Sequence, residues 1–257
     1  MRTRSVHGGR HELGQNFLIH QPTIDRIVAL VATTEGAILE IGAGGGALTT
    51  GLAGLGRGLT AIDIDERRIA ALRRAHAGVH VEHADALRHP LDAPVIAGNI
   101  PFHLTTPILR RLLQRPGWRD AVLLTQWEVA RKRAGVGGGT LMTAQAAPWF
   151  AFTLHGRVPS HAFRPAPSVD GGILSITRRG SPLVPLAHRR AYERFVGEVF
   201  TAKGRGMGSI LATVRRCSRP AAKRHLTQAG VGADALPRDL GPQQWADLWK
   251  HLMGGQD

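Results

Sequence analysis

The chain has 257 residues, enough for one large domain or a main domain with an appendage. With 43% hydrophobic and 20% charged residues it is neither disordered nor collagen-like, and its single cysteine, Cys217, excludes an intramolecular disulfide. Lys and Arg outnumber Asp and Glu 33 to 19, a formal charge of +14 that points to a polyanionic partner, although GC-rich coding would also enrich Arg.

No apolar run approaches the ~20 residues of a membrane span, and the start of the chain lacks the apolar segment of a secretory signal. A cytoplasmic protein without membrane contact is expected. In chain order, the amphipathic stretch Thr23–Ala32 predicts a helix, followed by short apolar runs at Ala37–Ile41, Leu59–Asp63, Val79–His83, Val95–Gly98 and Ala121–Leu124. Between them, Glu66–Arg74 has Ile69 and Leu72 on one face and arginines elsewhere. That alternation predicts βαβ units and a parallel sheet. Ser168–Arg178 reads as an alternating strand, after which Ser181-Pro182 and Pro185 punctuate the chain.

The expected boundary falls there, giving an α/β domain over residues 1–180 and a small helical domain over 181–257. Tyr192–Phe200 and Gln243–Leu252 look helical, with Trp245, Leu248, Trp249 and Leu252 spaced for one buried face. The tail carries 12 basic and 6 acidic residues, and between Thr201 and Arg224 it has seven basic residues and no acid. Such a run is either a solvated helix face or a surface that tracks phosphates.

The first strand runs into Glu40-Ile41-Gly42-Ala43-Gly44-Gly45-Gly46, and a helix is expected from Ala47. Glycines there permit a tight strand-to-helix turn and close backbone approach of a ligand. Asp63, at the end of the second strand, can accept hydrogen bonds from both ribose hydroxyls. Together these residues describe a nucleoside cofactor site, but Gly42, Gly44 and Ala47 also satisfy the dinucleotide pattern. Asp85 ends the third strand, where it can bind an adenine amino group. The fourth runs into Asn99-Ile100-Pro101-Phe102. An exocyclic amine on a base is a poor nucleophile, since its lone pair is delocalised into the ring. The Asn99 oxygen and a backbone carbonyl fixed by Pro101 can hold the amine hydrogens and aim that lone pair at an electrophilic methyl, with Phe102 stacked on the base.

Gly14-Gln15-Asn16-Phe17-Leu18, the Glu40–Gly46 loop, Gly98–Phe102 and Phe163-Arg164-Pro165-Ala166-Pro167-Ser168-Val169-Asp170 resemble, in order, the motifs of ribosomal RNA adenine N6-methyltransferases. The resemblance implies a class I, Rossmann-like S-adenosylmethionine-dependent methyltransferase with a helical C-terminal domain, acting on an adenine flipped from its stack. It implies cofactor contacts at Gln15, Asn16, Leu18, Gly42, Asp63, Ile64, Asp85, Ala86 and Asn99. Catalytic roles fall to Asn99, Ile100, Phe102 and Phe163, the two aromatics sandwiching the base. Asp63 stands where the family more often has Glu, and Phe102 where it more often has Tyr, so no tyrosine hydroxyl takes part. No metal is implied, and a monomer is expected.

Two branches compete. The Erm type modifies an adenine of 23S ribosomal RNA or its precursor and confers macrolide resistance; the KsgA type modifies adjacent adenines of 16S RNA. His11–Leu18, Ile100 and Trp127–Gly135 are similar to the Erm type. An RNA-binding module on a degenerate scaffold is disfavoured by intact Glu40, Asp63, Asp85 and Asn99. An NAD-dependent oxidoreductase has no use for Asn99–Phe102 or for the net charge.

Overall fold

The structure, a computed structural model, describes residues 16–253. Its main sheet is the expected doubly wound α/β arrangement. Strand β1 (Phe17–Leu18) leads into helix α1 (Gln21–Ala32), where Ile24, Ile27 and Val31 recur at helical spacing and form the buried stripe. Strand β2 (Ile38–Ile41), helix α2 (Ala47–Ala53), strand β3 (Leu59–Asp63), helix α3 (Glu66–Ala75) and strand β4 (His80–His83) follow. The Asp65 side chain caps α3 by accepting from the Arg67 N–H at 3.0 Å, and Arg73 and Arg74 oppose the helix dipole in its last turn.

Strand β5 (Val95–Asn99), helix α4 (Thr105–Gln114) and strand β6 (Asp120–Gln126) complete the parallel part. Helices α5 (Trp127–Arg133) and α6 (Leu141–Ala146) lead to strand β7 (Phe150–Val158), the two-residue β8 (Phe163–Arg164) and β9 (Gly171–Arg178). The seven strands lie in the order β4-β3-β2-β5-β6-β9-β7. Parallel pairing of β2 with both β3 and β5 puts the reversal of strand order between β2 and β5, and ligands of such sheets bind at the carboxyl ends of the strands at that switch point. Gly98 permits it: a Cβ there would sit 2.3 Å from the Ile41 carbonyl oxygen.

Of the described residues, Asn16–Ala130 together with Leu154–Ile176 form one compact unit, and Arg131–Thr153 together with Thr177–Met253 form another. A single cut at residue 180 leaves α6 in the first domain. In the structure α6 belongs with the C-terminal helices, since the Tyr192 hydroxyl donates to the Ala144 carbonyl at 2.9 Å and the Gln145 amide to the Glu193 carbonyl at 2.8 Å. The second unit also holds α7 (Arg189–Thr201), α8 (Met207–Arg215), α9 (Arg219–Gln228) and α10 (Pro242–Met253). Its core is aromatic: Trp249 meets Tyr192 and Phe195 at 5.7 and 5.6 Å between ring centroids, and Trp245 stacks on Phe200 at 5.9 Å. Such pairs add about 0.5–1.5 kcal/mol each beyond the area they bury. Among the described residues no helix is long and apolar enough to cross a membrane.

Candidate active site

Chain direction reverses sharply after β2. Gly42 takes φ +73°, and a Cβ there would lie 3.3 Å from the Asn99 carbonyl oxygen, so the two strand ends at the switch point touch through a residue without a side chain. The N–H groups of Gly42 and Ala43 both donate to the Ile62 carbonyl, at 2.9 and 3.1 Å. The loop is also tied to the end of β3. Asp63, 4% exposed, accepts from the Gly44 N–H at 2.7 Å through one carboxylate oxygen and from the Asp65 N–H at 2.8 Å through the other. Each oxygen keeps further acceptor capacity, so this carboxylate is held in one orientation and can still receive hydroxyl donors.

Three adjoining cavities surround Gly42. The largest, about 580 Å³, lies between α1 and the glycine loop and is lined by Leu18, Gln21, Glu40, Ala47 and Asn99 among others. A slot of about 60 Å³ is walled by Asp63, Ile64, Asp85, Ala86, Leu104 and Ile108. A space of about 30 Å³ joins Asn16, Phe17, Asp63, Asn99 and Phe102. An apolar slot with a carboxylate at its rim suits a purine ring. Beside it stands a fixed acceptor for ribose, and beyond that a roomy compartment with a second carboxylate. The donor set therefore fits S-adenosylmethionine.

That second carboxylate is Glu40, 1% exposed, which accepts from the Thr49 hydroxyl at 2.7 Å. Burial pushes its carboxyl up to about 7; the Thr49 bond opposes this and the nearby charge of Asp63 adds to it. Glu40 was legible as part of the glycine motif but not as a site residue in its own right. An acid inside an otherwise apolar strand, two residues before the first glycine, was the available signal.

Every expected contact residue that the structure describes lies around these cavities; Gln15 falls outside the described residues. Leu18 packs in the core as well as lining the large cavity, and Ile64 is 43% exposed at the slot. Asp85 accepts from the Leu87 N–H at 2.8 Å. Ile100 is buried and its N–H donates to the Leu124 carbonyl at 3.0 Å, which anchors the tetrapeptide to β6. The Asn99 side-chain nitrogen donates to the Asn16 main-chain carbonyl at 2.8 Å. With its nitrogen so engaged, the amide presents its oxygen as the remaining acceptor, an arrangement that sequence spacing across 83 positions does not reveal.

The amino-terminal motif is held in place through the aromatic one. Strand β1 pairs antiparallel with β8, Phe17 opposite Arg164 and Leu18 opposite Phe163, and the Ile19 N–H donates to the Ala162 carbonyl at 2.9 Å. Phe17 is also covered by Arg68, whose guanidinium carbon lies 4.0 Å from the ring centroid.

The sandwich expected of Phe102 and Phe163 is not the arrangement seen. The two rings meet edge to face, centroids 5.8 Å apart and planes at 74°. A base stacked between parallel rings needs a separation of about 7 Å, twice the ~3.5 Å of an atomic contact. Phe163 is 2% exposed and belongs to the core, whereas Phe102 is half-buried and lines the joining space.

Comparison with known proteins agrees with this geometry. The family model described as "Ribosomal RNA adenine dimethylase" matches residues 6–253. An rRNA adenine N-6-methyltransferase of Corynebacterium diphtheriae is 56% identical over 207 residues, covering 79% of this chain and 82% of that protein. The mycinamicin-resistance protein MyrB of Micromonospora griseorubida is 48% identical over 95% of this chain and 79% of its own. The crystal structure of the 23S rRNA methyltransferase ErmE is 33% identical, superposes with a TM-score of 0.83, and is covered in full by 93% of this chain. The Rossmann-like methyltransferase fold with C-terminal helices is therefore as the motifs implied. The chain belongs to the ribosomal RNA adenine dimethylase family, within its Erm-type rRNA adenine N6-methyltransferases.

Proposed function

We propose that the protein methylates N6 of one adenine in 23S ribosomal RNA, with S-adenosylmethionine as donor, and thereby confers resistance to macrolides. The observation that carries this is the Asn99 amide, which lines the joining space with Phe102 at the switch point and is fixed through its nitrogen, leaving its oxygen as an acceptor. Its relatives supply the RNA and the resistance, and a ribosomal substrate puts the reaction in the cytoplasm.

When bound, S-adenosylmethionine supplies an electrophilic methyl group. Asp63 would hold the ribose hydroxyls, and the slot of Ile64, Asp85 and Ala86 the adenine. Glu40 gives the large cavity a carboxylate that suits a cationic group. On the RNA side, the Asn99 oxygen and the Ile100 carbonyl, stiffened by the following Pro101, accept the hydrogens of the target amine. Holding both hydrogens turns the nitrogen lone pair out of conjugation and toward the methyl. Phe102 stacks on the flipped base and Phe163 backs Phe102 from the core.

Primer extension and mass analysis of ribosomal RNA from a sensitive host carrying the gene test this. A methylated large-subunit adenine, absent with an Asn99→Ala variant, is expected. A mark found only on small-subunit RNA would transfer the same chemistry to the KsgA-type substrate.

A further inference from the structure

A separate cavity, of about 560 Å³, lies wholly within the C-terminal unit and shares no lining residue with the three around Gly42. Its size is that of a small-molecule or single-nucleotide site. Three arginines reach it from three segments, Arg133 from the end of α5, Arg179 just after β9 and Arg238 just before α10. The Arg179 side chain is braced by donation from its Nε to the Ala147 carbonyl at 3.0 Å, and Arg133 by donation to the Thr140 hydroxyl at 2.6 Å.

Among the residues that line the cavity the one acid is Asp239, and it is already engaged. Asp239 accepts from the Leu236 N–H at 2.8 Å and lies 3.8 Å from the Arg238 guanidinium. The floor is apolar and aromatic, with Ala144, Ala147, Phe150, Phe152 and Trp245. Gly135 and Gly138 also line it, with φ +76° and +107°, and a Cβ at Gly138 would lie 3.4 Å from the Arg238 side chain.

Arg179 and Arg238 beside a lining that is otherwise largely apolar are mismatched to an apolar peptide, which would offer them no anion. They match a ligand with a phosphate at one end and a flat ring at the other. We propose that this pocket receives one unstacked nucleotide of the RNA substrate, its phosphate on Arg179 and Arg238 and its base on the floor beside Phe152. The inference rests on the RNA-directed function proposed above. It gives the C-terminal unit a discrete grip on an RNA residue other than the target adenine.

The test uses the full chain and a fragment of 23S RNA that the wild type methylates. Two variants are compared with it: Arg179→Gln combined with Arg238→Gln, which removes the cations, and Ala151→Trp, which fills the cavity from half-buried Ala151 on β7. In each, RNA affinity and KM should worsen by about tenfold, within the range for losing one stacked base or a pair of phosphate contacts. The kcat at saturating RNA should change far less, and S-adenosylmethionine affinity and melting temperature should match the wild type. The double variant should also show a shallower salt dependence, by roughly one to two in slope.

RNA affinity and salt slope within twofold of the wild type in the double variant would overturn the proposal. Ala151→Trp, where it folds, should agree with the double variant. Uridine monophosphate titrated into the wild type should bind weakly and be displaced by the RNA; tight binding that RNA does not displace would assign the pocket to a free nucleotide instead. Failure of the wild type to methylate any large-subunit fragment would refute the underlying function, a different result from any of these.

Discussion

The side-chain nitrogen of Asn99 and the carbonyl oxygen of Asn16 lie 2.8 Å apart, although 83 positions separate the two residues. One hydrogen bond thus makes the orientation of the acceptor amide depend on the amino-terminal motif. Asn99→Ala should lower kcat about 100-fold or more, the cost of removing one oriented transition-state group, while leaving donor affinity nearly unchanged. Asn99→Asp should be no rescue, because a carboxylate would meet the Asn16 carbonyl with no proton to share. Turnover near that of the wild type in Asn99→Ala, measured with saturating RNA, would reduce the residue to a strand cap.

Arg68 over Phe17 holds the same segment from the other side. A cation–π contact at this partly exposed position is worth about 0.5–1 kcal/mol. Arg68→Ala should therefore weaken S-adenosylmethionine binding roughly two- to fivefold with little effect on melting; calorimetric titration reads the first and scanning calorimetry the second. An unchanged dissociation constant would show that the β1–β8 pairing alone suffices.

Glu40 gives the site a pH dependence. Its carboxyl titrates near 7 in the folded protein, raised from 4.5 mainly by burial. The folded state therefore holds this proton more tightly than the unfolded one, and as pH rises from about 4.5 to 7 the residue costs stability, with no further change above 7. Glu40→Gln, which can still accept from Thr49, should gain melting temperature relative to the wild type over that window. A cationic donor group beside Glu40 favours the carboxylate. Wild-type affinity should then rise with pH up to about 7, with proton release on binding at lower pH, and both trends should vanish in Glu40→Gln.

The edge-to-face contact of Phe102 and Phe163 divides what were expected to be equal partners. Phe163→Ala removes a ring from the core and should cost about 3–5 kcal/mol in unfolding free energy. Phe102→Ala should melt close to the wild type yet lose productive RNA binding, since a stacked base is worth ~1–3 kcal/mol. Chemical denaturation and RNA titration on both variants would separate these roles, and equal stability losses would contradict the assignment.

How much of this could be read in the sequence followed from locality. Strands β2, β3, β5 and β6 show as short apolar runs because they are largely buried on both faces, and Gly42, Asp63, Asp85 and Asn99 show because each sits at or just past the end of a strand. Strand β7 was missed: Phe150–Val158 mixes half-buried residues of both kinds and contains a glycine, so neither period stands out. Helices α4 and α5 follow the catalytic motif and β6 without a cap signal of Ser, Asp or Asn at their starts, and went unread. The placement of α6 with the C-terminal helices depends on Tyr192 reaching Ala144, a contact 48 residues long. The pairing of β1 with β8, the Asn16–Asn99 bond and the crossed rings of Phe102 and Phe163 are likewise long-range relations that no window of sequence contains.

The substrate carries the most exposed prediction. An N6 methyl on an adenine against which macrolides pack removes an amino hydrogen and adds bulk, so a drug that fits closely loses both a hydrogen bond and room. A loss of about 4 kcal/mol corresponds to ~1000-fold in affinity, at about 1.4 kcal/mol per decade. Expression in a macrolide-sensitive bacterium should raise resistance to macrolides and lincosamides and leave drugs of the small subunit unaffected. Asn99→Ala is the control, since resistance that persists in that variant would mean that bound protein, not methylation, shields the site. A small-subunit enzyme predicts the opposite: no macrolide phenotype, and restored kasugamycin sensitivity in a host lacking its own small-subunit dimethyltransferase. Small-subunit methylation with macrolide sensitivity unchanged would leave the chemistry of Asn99 intact and overturn its target.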